Sequence, residues 1–455
     1  MTKGNIAEHL VRFALPLLFG NLFQQLYNTV DSWVVGNFVS NEAYSAVGTI
    51  SPIVNLFISF FSGLGAGCGV LVSQYFGAKR EDKVSTAVHG GFFVILALGV
   101  FMTFFGIFIS PTLLHFMKTP EAAFADANEY LKIYCVGLIS LTVYNLCAAI
   151  LRAVGDTRRP TIYLIVTAVV NIILDLVFVL QFRMGVAGVA WATVIAEVIS
   201  MVLVMASLMR ERSAIRFVPA KLLKPDFGMM RKIAEIGIPS GLQMGITSFS
   251  NIFVHSYVNF FGIGMMSGYA SYIKIERFLQ LPLQSMQLSV TTFAGQNIGA
   301  GDIPRVRKGA RTAYAMTMAI SAVISVILWF ASPAISAFFN SDPDSVQYSV
   351  WMIRFIIPFF MAHVLAAILA GTLKGAGDAR NVMVIMLTSY VAFRQIYLFL
   401  VTKYVANTET VVMSGIGLAW VVATILVGIY YWRNSERIFR SAVPETSHKA
   451  ESRER

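Results

Sequence analysis

Runs of about 20 apolar residues recur a dozen times along this chain, each long enough to cross a bilayer as an α-helix. That pattern removes most folds at once. In hydrocarbon every backbone N–H and C=O needs a partner within the protein, so only helices or closed barrels span it. Runs of this length are helical. The composition agrees, with 56% of the 455 residues hydrophobic and 13% charged. The first run is full-length and polar-faced, so it reads as a retained helix and not as a signal peptide. The expected fold class is all-α integral membrane with twelve transmembrane helices, from about 10–37 to about 412–432.

The net charge of +11 does not mark a nucleic-acid binder, because the charges lie in short loops between apolar runs. With a cytoplasmic N-terminus, 27 of the 35 Lys and Arg fall in cytoplasmic segments, and only Lys118, Arg183 and Lys403 fall on the other side. This positive-inside bias predicts a multi-pass plasma-membrane protein with both termini cytoplasmic. Cys68, Cys135 and Cys147 all sit in apolar runs without a Cys or His at ligand spacing. Neither a disulfide nor a cysteine metal site is expected, and no cofactor is implied.

The chain also repeats itself. Gln74-Tyr75-Phe76-Gly77-Ala78 returns as Gln296-Asn297-Ile298-Gly299-Ala300, and Leu151–Arg158 returns as Leu373–Arg380, both after 222 residues. Pro16 matches Pro239, and Gly188-Val189-Ala190-Trp191 matches Gly417-Leu418-Ala419-Trp420. Each copy holds six spans, an even number, so both halves share one orientation. They should be related by a pseudo-two-fold axis along the membrane normal, with a site between them. The expected division is an N-lobe at 1–208, a basic cytoplasmic linker at 209–231, a C-lobe at 232–435 and a disordered tail at 436–455. A chain that carries both lobes should function as a monomer.

Carboxylates within spans mark the candidate site, since an ionised group at the centre of a membrane helix costs at least ~2.5 kcal/mol. Asp31 lies in the first span and shares a helix face with Gln24, Tyr27 and Asn28. Asn171 and Asp175 are four apart in the fifth span, and Thr193 precedes Glu197 by four in the sixth. If the helices bundle, Asp31, Asn171, Asp175 and Thr193 converge as two carboxylates and two neutral oxygens. Such a set suits a shared proton or a Na⁺ ion. Each acid could instead be held by a structural hydrogen bond or by a neighbouring Lys or Arg. A substrate cavity would draw on Gln24, Tyr27, Asn28, Asn55, Glu197, Lys274, Arg277, Gln284 and His363. In the second half, Lys274, Glu276 and Arg277 read equally as a structural ion pair or as a gate, and His363 as structure or as a proton carrier. Prolines 16, 52, 239, 282 and 358 interrupt spans and permit bends. The 35 Phe and 20 Met suit a cavity for varied apolar ligands, or simply a lipid-facing surface.

No G-x-x-x-x-G-K-[ST] loop is present, so nucleotide is not the energy source within this chain. Nor does any cluster read as catalytic, and the chain is not expected to be an enzyme. That leaves transport driven by an ion gradient.

These features together resemble the multidrug and toxic compound extrusion (MATE) family. The resemblance covers roughly residues 5–435 and rests on the two six-span halves, Pro16 with Thr29-Val30-Asp31-Ser32, the Gln74/Gln296 and Leu151/Leu373 repeats, and Asn171–Asp175. It implies antiport: export of lipophilic, often cationic small molecules by alternating access, coupled to H⁺ or Na⁺. It also implies a cation site at Asp31, Asn171, Asp175 and Thr193. The NorM branch carries further acids in its seventh and tenth helices, where this chain has Thr247 and His363. The chain is accordingly more similar to the DinF-like branch. Two alternatives stand beside this reading: a lipid-linked oligosaccharide flippase of the same superfamily, and a membrane-embedded enzyme acting on lipids.

Overall fold

The computed structural model describes residues 1–444 apart from 40, 117, 118, 120 and 341, and only the backbone at 27, 28, 31–33, 35–37, 41–49, 52, 116, 122 and 223. Twelve long helices hold most of the described residues, with no strand among them. They are α1 (Ile6–Phe38), α2 (Asn41–Gly77), α3 (Glu81–Phe116), α4 (Glu121–Ala153), α5 (Arg158–Gln181), α6 (Gly185–Arg210), α7 (Phe227–Asn259), α8 (Ile263–Gly299), α9 (Ile303–Phe339), α10 (Pro343–Gly375), α11 (Ala379–Tyr404) and α12 (Glu409–Ser441). Among the described residues, ten helices are long and apolar enough to cross a membrane. The other two, α7 and α8, have the length but are more polar, and α8 carries Lys274, Glu276, Arg277 and four glutamines.

The outer faces are apolar. On α3, Phe104 is 70% and Phe108 86% exposed. Phenylalanines at this helical spacing are explained by lipid contact, since a water-soluble protein would bury them. Cys68, Cys135 and Cys147 are buried free thiols.

The chain forms two compact units: Phe19–Gly245, and Met1–Leu18 together with Ile246–Arg455. The division thus falls inside α1 and α7, whereas the sequence placed it at the basic linker. The packing gives the reason. Ile6, Leu10 and Ala14 of α1 are buried in one cluster with Met286, Val290 and Phe293 of α8. The first half of α7 lies in the other unit, where Gly237 and Gly241 meet Gly63 and Gly67 of α2 backbone to backbone. A Cβ on Gly241 would sit 2.6 Å from the Phe60 carbonyl oxygen, so larger residues are excluded there.

In the first unit, Phe61, Leu64, Phe92 and Leu146 are buried core residues of α2, α3 and α4. The segment after α6 folds back onto this unit: Phe217 packs on Phe92 with ring centroids 4.1 Å apart, and the Val218 N–H donates to His89 Nε2 at 3.0 Å. In the second unit the core centres on Tyr272, Met352, Phe360 and Trp420 of α8, α10 and α12. Helix α12 continues to Ser441, into the stretch expected to be disordered from 436. Phe439 is buried with Ile298 and Val306, and Glu436 pairs with Arg307 and Arg440, which is why the helix persists. Residues 445–455 lie outside the described residues.

The sequence repeats build the same turns twice. Ala78 and Arg80 donate to the Gln74 and Tyr75 carbonyls, both at 2.9 Å, as Ala300 and Asp302 donate to Gln296 and Asn297 at 3.1 and 2.9 Å. Asp156 donates to the Leu151 carbonyl at 3.0 Å, and Asp378 to that of Leu373 at 3.1 Å. Both latter turns pass through glycine in the left-handed region, Gly155 at φ +98° and Gly377 at φ +90°, a conformation that side chains with a Cβ resist.

Candidate functional site

The candidate coupling residues on α5 and α6 are deeply buried in the first unit. Asp175 is 0% and Asn171 2% exposed, one helical turn apart on α5. Thr193 of α6 is buried too, its hydroxyl donating to the Val189 carbonyl at 3.1 Å. Both side-chain polar atoms of Asn171 lack a hydrogen-bond partner among the described residues. A buried amide left unsatisfied costs about 1–3 kcal/mol, which a ligand or an incoming side chain can recover. Just beyond Asp175, regular helix gives way to a π-helical segment, Val177–Gln181. Such segments insert a residue into the helical ladder and often accompany functional sites.

Asp31, Tyr27 and Asn28 are helical positions of α1 whose side chains lie outside the described residues. The backbone still supplies a level. Gly20 of α1 packs on α5, where a Cβ would lie 3.4 Å from Thr161 Oγ1. As odd-numbered spans, α1 and α5 run the same way across the bilayer. From that contact Asp31 is about 16 Å and Asn171 about 15 Å further along, at the α-helical rise of 1.5 Å per residue. Gln24 is half-buried and Asn55 of α2 exposed. Glu197 sits against α4, where a Cβ on Gly137 would lie 3.2 Å from its Oε2. That oxygen is buried without a hydrogen-bond partner among the described residues.

The second unit holds a different polar group. Arg394 of α11 is buried and donates through Nη2 to Ser250 Oγ of α7 at 2.9 Å. Gln395 donates to the same hydroxyl at 2.9 Å and to the Ser250 carbonyl at 3.1 Å. Glu276 accepts from Gln280 at 3.2 Å and lies within electrostatic reach of Arg394. His363 stacks on Trp420 with centroids 4.8 Å apart, and its Nδ1 is 3.0 Å from the Tyr390 hydroxyl. Lys274 is exposed, its ammonium over the Phe339 ring at 5.4 Å; Arg277 and Gln284 are exposed as well. Ser250, Tyr390 and Gln395 were not singled out from the sequence. The signal available was the Arg394-Gln395 pair inside an apolar run, next to the second π-helical segment, Thr388–Phe393.

A sequence profile of the MatE family matches residues 16–177 and 239–396, more than half of the chain. The probable multidrug resistance protein YpnP of Bacillus subtilis is 29% identical over 436 residues, 94% of this chain and 96% of that protein. The multidrug export protein MepA of Staphylococcus aureus is 22% identical, over 83% of this chain and 84% of that one. Among solved structures, a MATE transporter in complex with MaL6 superimposes with a TM-score of 0.90 at 20% identity, covering 96% of this chain and 98% of that chain. A MOP-superfamily transporter from Pyrococcus furiosus superimposes with a TM-score of 0.89, also at 20% identity, covering 96% and 97%. Matched in both halves by the profile and along almost its whole length in fold, the chain belongs to the MatE family of multidrug and toxic compound extrusion transporters.

Proposed function

We propose that this protein exports lipophilic, often cationic small molecules by alternating access, driven by H⁺ or Na⁺ entry. The observation that carries the reading is the buried Asn171–Asp175 pair on α5, with Thr193 buried on α6, in helices long and apolar enough to cross a membrane. A carboxylate in that setting is retained against a desolvation cost, and a coupling ion gives it a use. The names of the relatives, multidrug resistance and multidrug export proteins, point the same way. Asp31, at the level of Asn171, is the second carboxylate of the site. Cation binding favours the outward-releasing state, and reset requires the site emptied or refilled by drug. A tenfold gradient supplies ~1.4 kcal/mol and a charge crossing 100 mV ~2.3 kcal/mol, enough to bias a two-state cycle. The chain lies in the plasma membrane with both termini cytoplasmic, works as a monomer and is closer to the DinF-like branch.

The test is dye efflux from proteoliposomes under separate pH and Na⁺ gradients. Wild type is expected to respond to one gradient, and Asp175→Asn and Asp31→Asn to neither, at normal expression. Dye movement that ignores both gradients and both substitutions would overturn the coupling model and favour the lipid-linked oligosaccharide flippase.

A further inference from the structure

Two cavities flank the end of α6 in the first unit. One, of about 410 Å³, is lined only by apolar side chains, among them Met201, Met205 and Met209 one turn apart on α6, with Phe92 of α3 and Phe217. The other, of about 540 Å³, is lined by Arg159 and Tyr163 of α5, then Ser207, Arg210, Glu211 and Arg212. Ala206 lines both, so they adjoin along one helix. Both volumes fall within the usual range of small-ligand sites.

The charges of the second cavity are unequally committed. Glu211 is occupied by Arg159, whose Nη1 donates to it at 2.7 Å and to Ser207 Oγ at 3.1 Å; Arg159 also pairs with Asp156. Arg210 and Arg212 are exposed and form no ion pair among the described residues. Two uncommitted guanidiniums beside a tyrosine, at the end of a membrane helix where the basic loops lie, match a phosphate at headgroup depth. The adjoining groove of methionine and phenylalanine matches an acyl chain, since methionine adapts its shape to the occupant.

We propose that this double cavity is a binding site for an anionic phospholipid, with the phosphate held by Arg210 and Arg212 and an acyl chain seated along Met201, Met205 and Met209. The proposal requires that the chain spans a membrane and is independent of its coupling ion and transport substrate. It places a lipid against α5 and α6, the helices that carry Asp175 and Thr193.

Native mass spectrometry and thermal melting of the full-length protein in detergent test it, with phosphatidylglycerol, phosphatidylcholine or inorganic phosphate added. Phosphatidylglycerol is expected to remain bound and raise the melting temperature, and the other two to do neither. Arg210→Gln with Arg212→Gln is expected to weaken phosphatidylglycerol binding on the order of 10- to 30-fold. Ala206→Trp, which fills the junction, is expected to lower it without removing charge. Arg440→Gln, on α12 of the other unit, is expected to leave it unchanged. Equal binding of phosphatidylcholine, competition by phosphate alone, retention in the double variant, or an equal loss in Arg440→Gln would each overturn the proposal.

Discussion

Asp175 and Arg394 pose the same problem in the two units, a charge-bearing side chain buried among apolar helices. Arg394 donates to Ser250 and has Tyr269, Tyr390 and Glu276 within electrostatic reach. Removing the hydroxyl takes a hydrogen-bond acceptor from the buried guanidinium. Ser250→Ala should therefore destabilise the protein by about 1.5–3 kcal/mol, measured as a fall in melting temperature in detergent, with the efflux rate per folded molecule reduced less than in Asp175→Asn. Asn171 has no hydrogen-bond partner among the described residues, and its role is assigned to the coupling ion. Asn171→Leu should keep or raise the melting temperature while lowering gradient-driven efflux in proteoliposomes. A parallel loss of both would make Asn171 a structural residue instead. Asp175 and Asn171 were legible in the sequence as polar breaks in an apolar run. Ser250 was not, because a serine in a membrane helix is common and its partner lies 144 residues away.

At the scale of helices, close approach and turns set the architecture. Gly241 meets the Phe60 carbonyl of α2, so Gly241→Val should cost about 1–3 kcal/mol through overpacking, visible as reduced yield and melting temperature. The repeated turns at Gly155 and Gly377 should each lose roughly 1–2 kcal/mol on substitution by alanine, because a Cβ is strained at positive φ. The two turns share no partner, so the double variant should lose about the sum, again by thermal melting. The repeat motifs were readable, and the turns they encode are local, closed by hydrogen bonds within six residues. The π-helical segments in α5 and α11 were not, since an inserted residue leaves the apolar pattern of a span unchanged.

For the whole molecule, the distribution of Lys and Arg predicts sidedness. Lys308→Cys should react with a membrane-impermeant maleimide from the cytoplasmic face of inside-out vesicles, and Lys403→Cys only from the other face. Cys68, Cys135 and Cys147 are buried and should leave a low background. Reversed labelling would invert the proposed orientation and place the entry of the coupling ion on the wrong side. The units themselves divide within α1 and α7, so a truncation at the basic linker should not yield two stable halves. Co-expressed fragments 1–218 and 219–455 are expected to recover efflux only when they assemble.

The sequence by itself determined the membrane setting, the helical class, the twofold repeat and the acids worth testing. Each follows from hydrophobic period, charge placement or short motifs, which act over one span or one turn. The tertiary structure decided which unit each half of α1 and α7 joins, that α12 outlasts its apolar run, that Arg394 rests on Ser250, and that two cavities meet at Ala206. These depend on packing and hydrogen bonds between residues far apart in the chain, and neither composition nor period carries their partners.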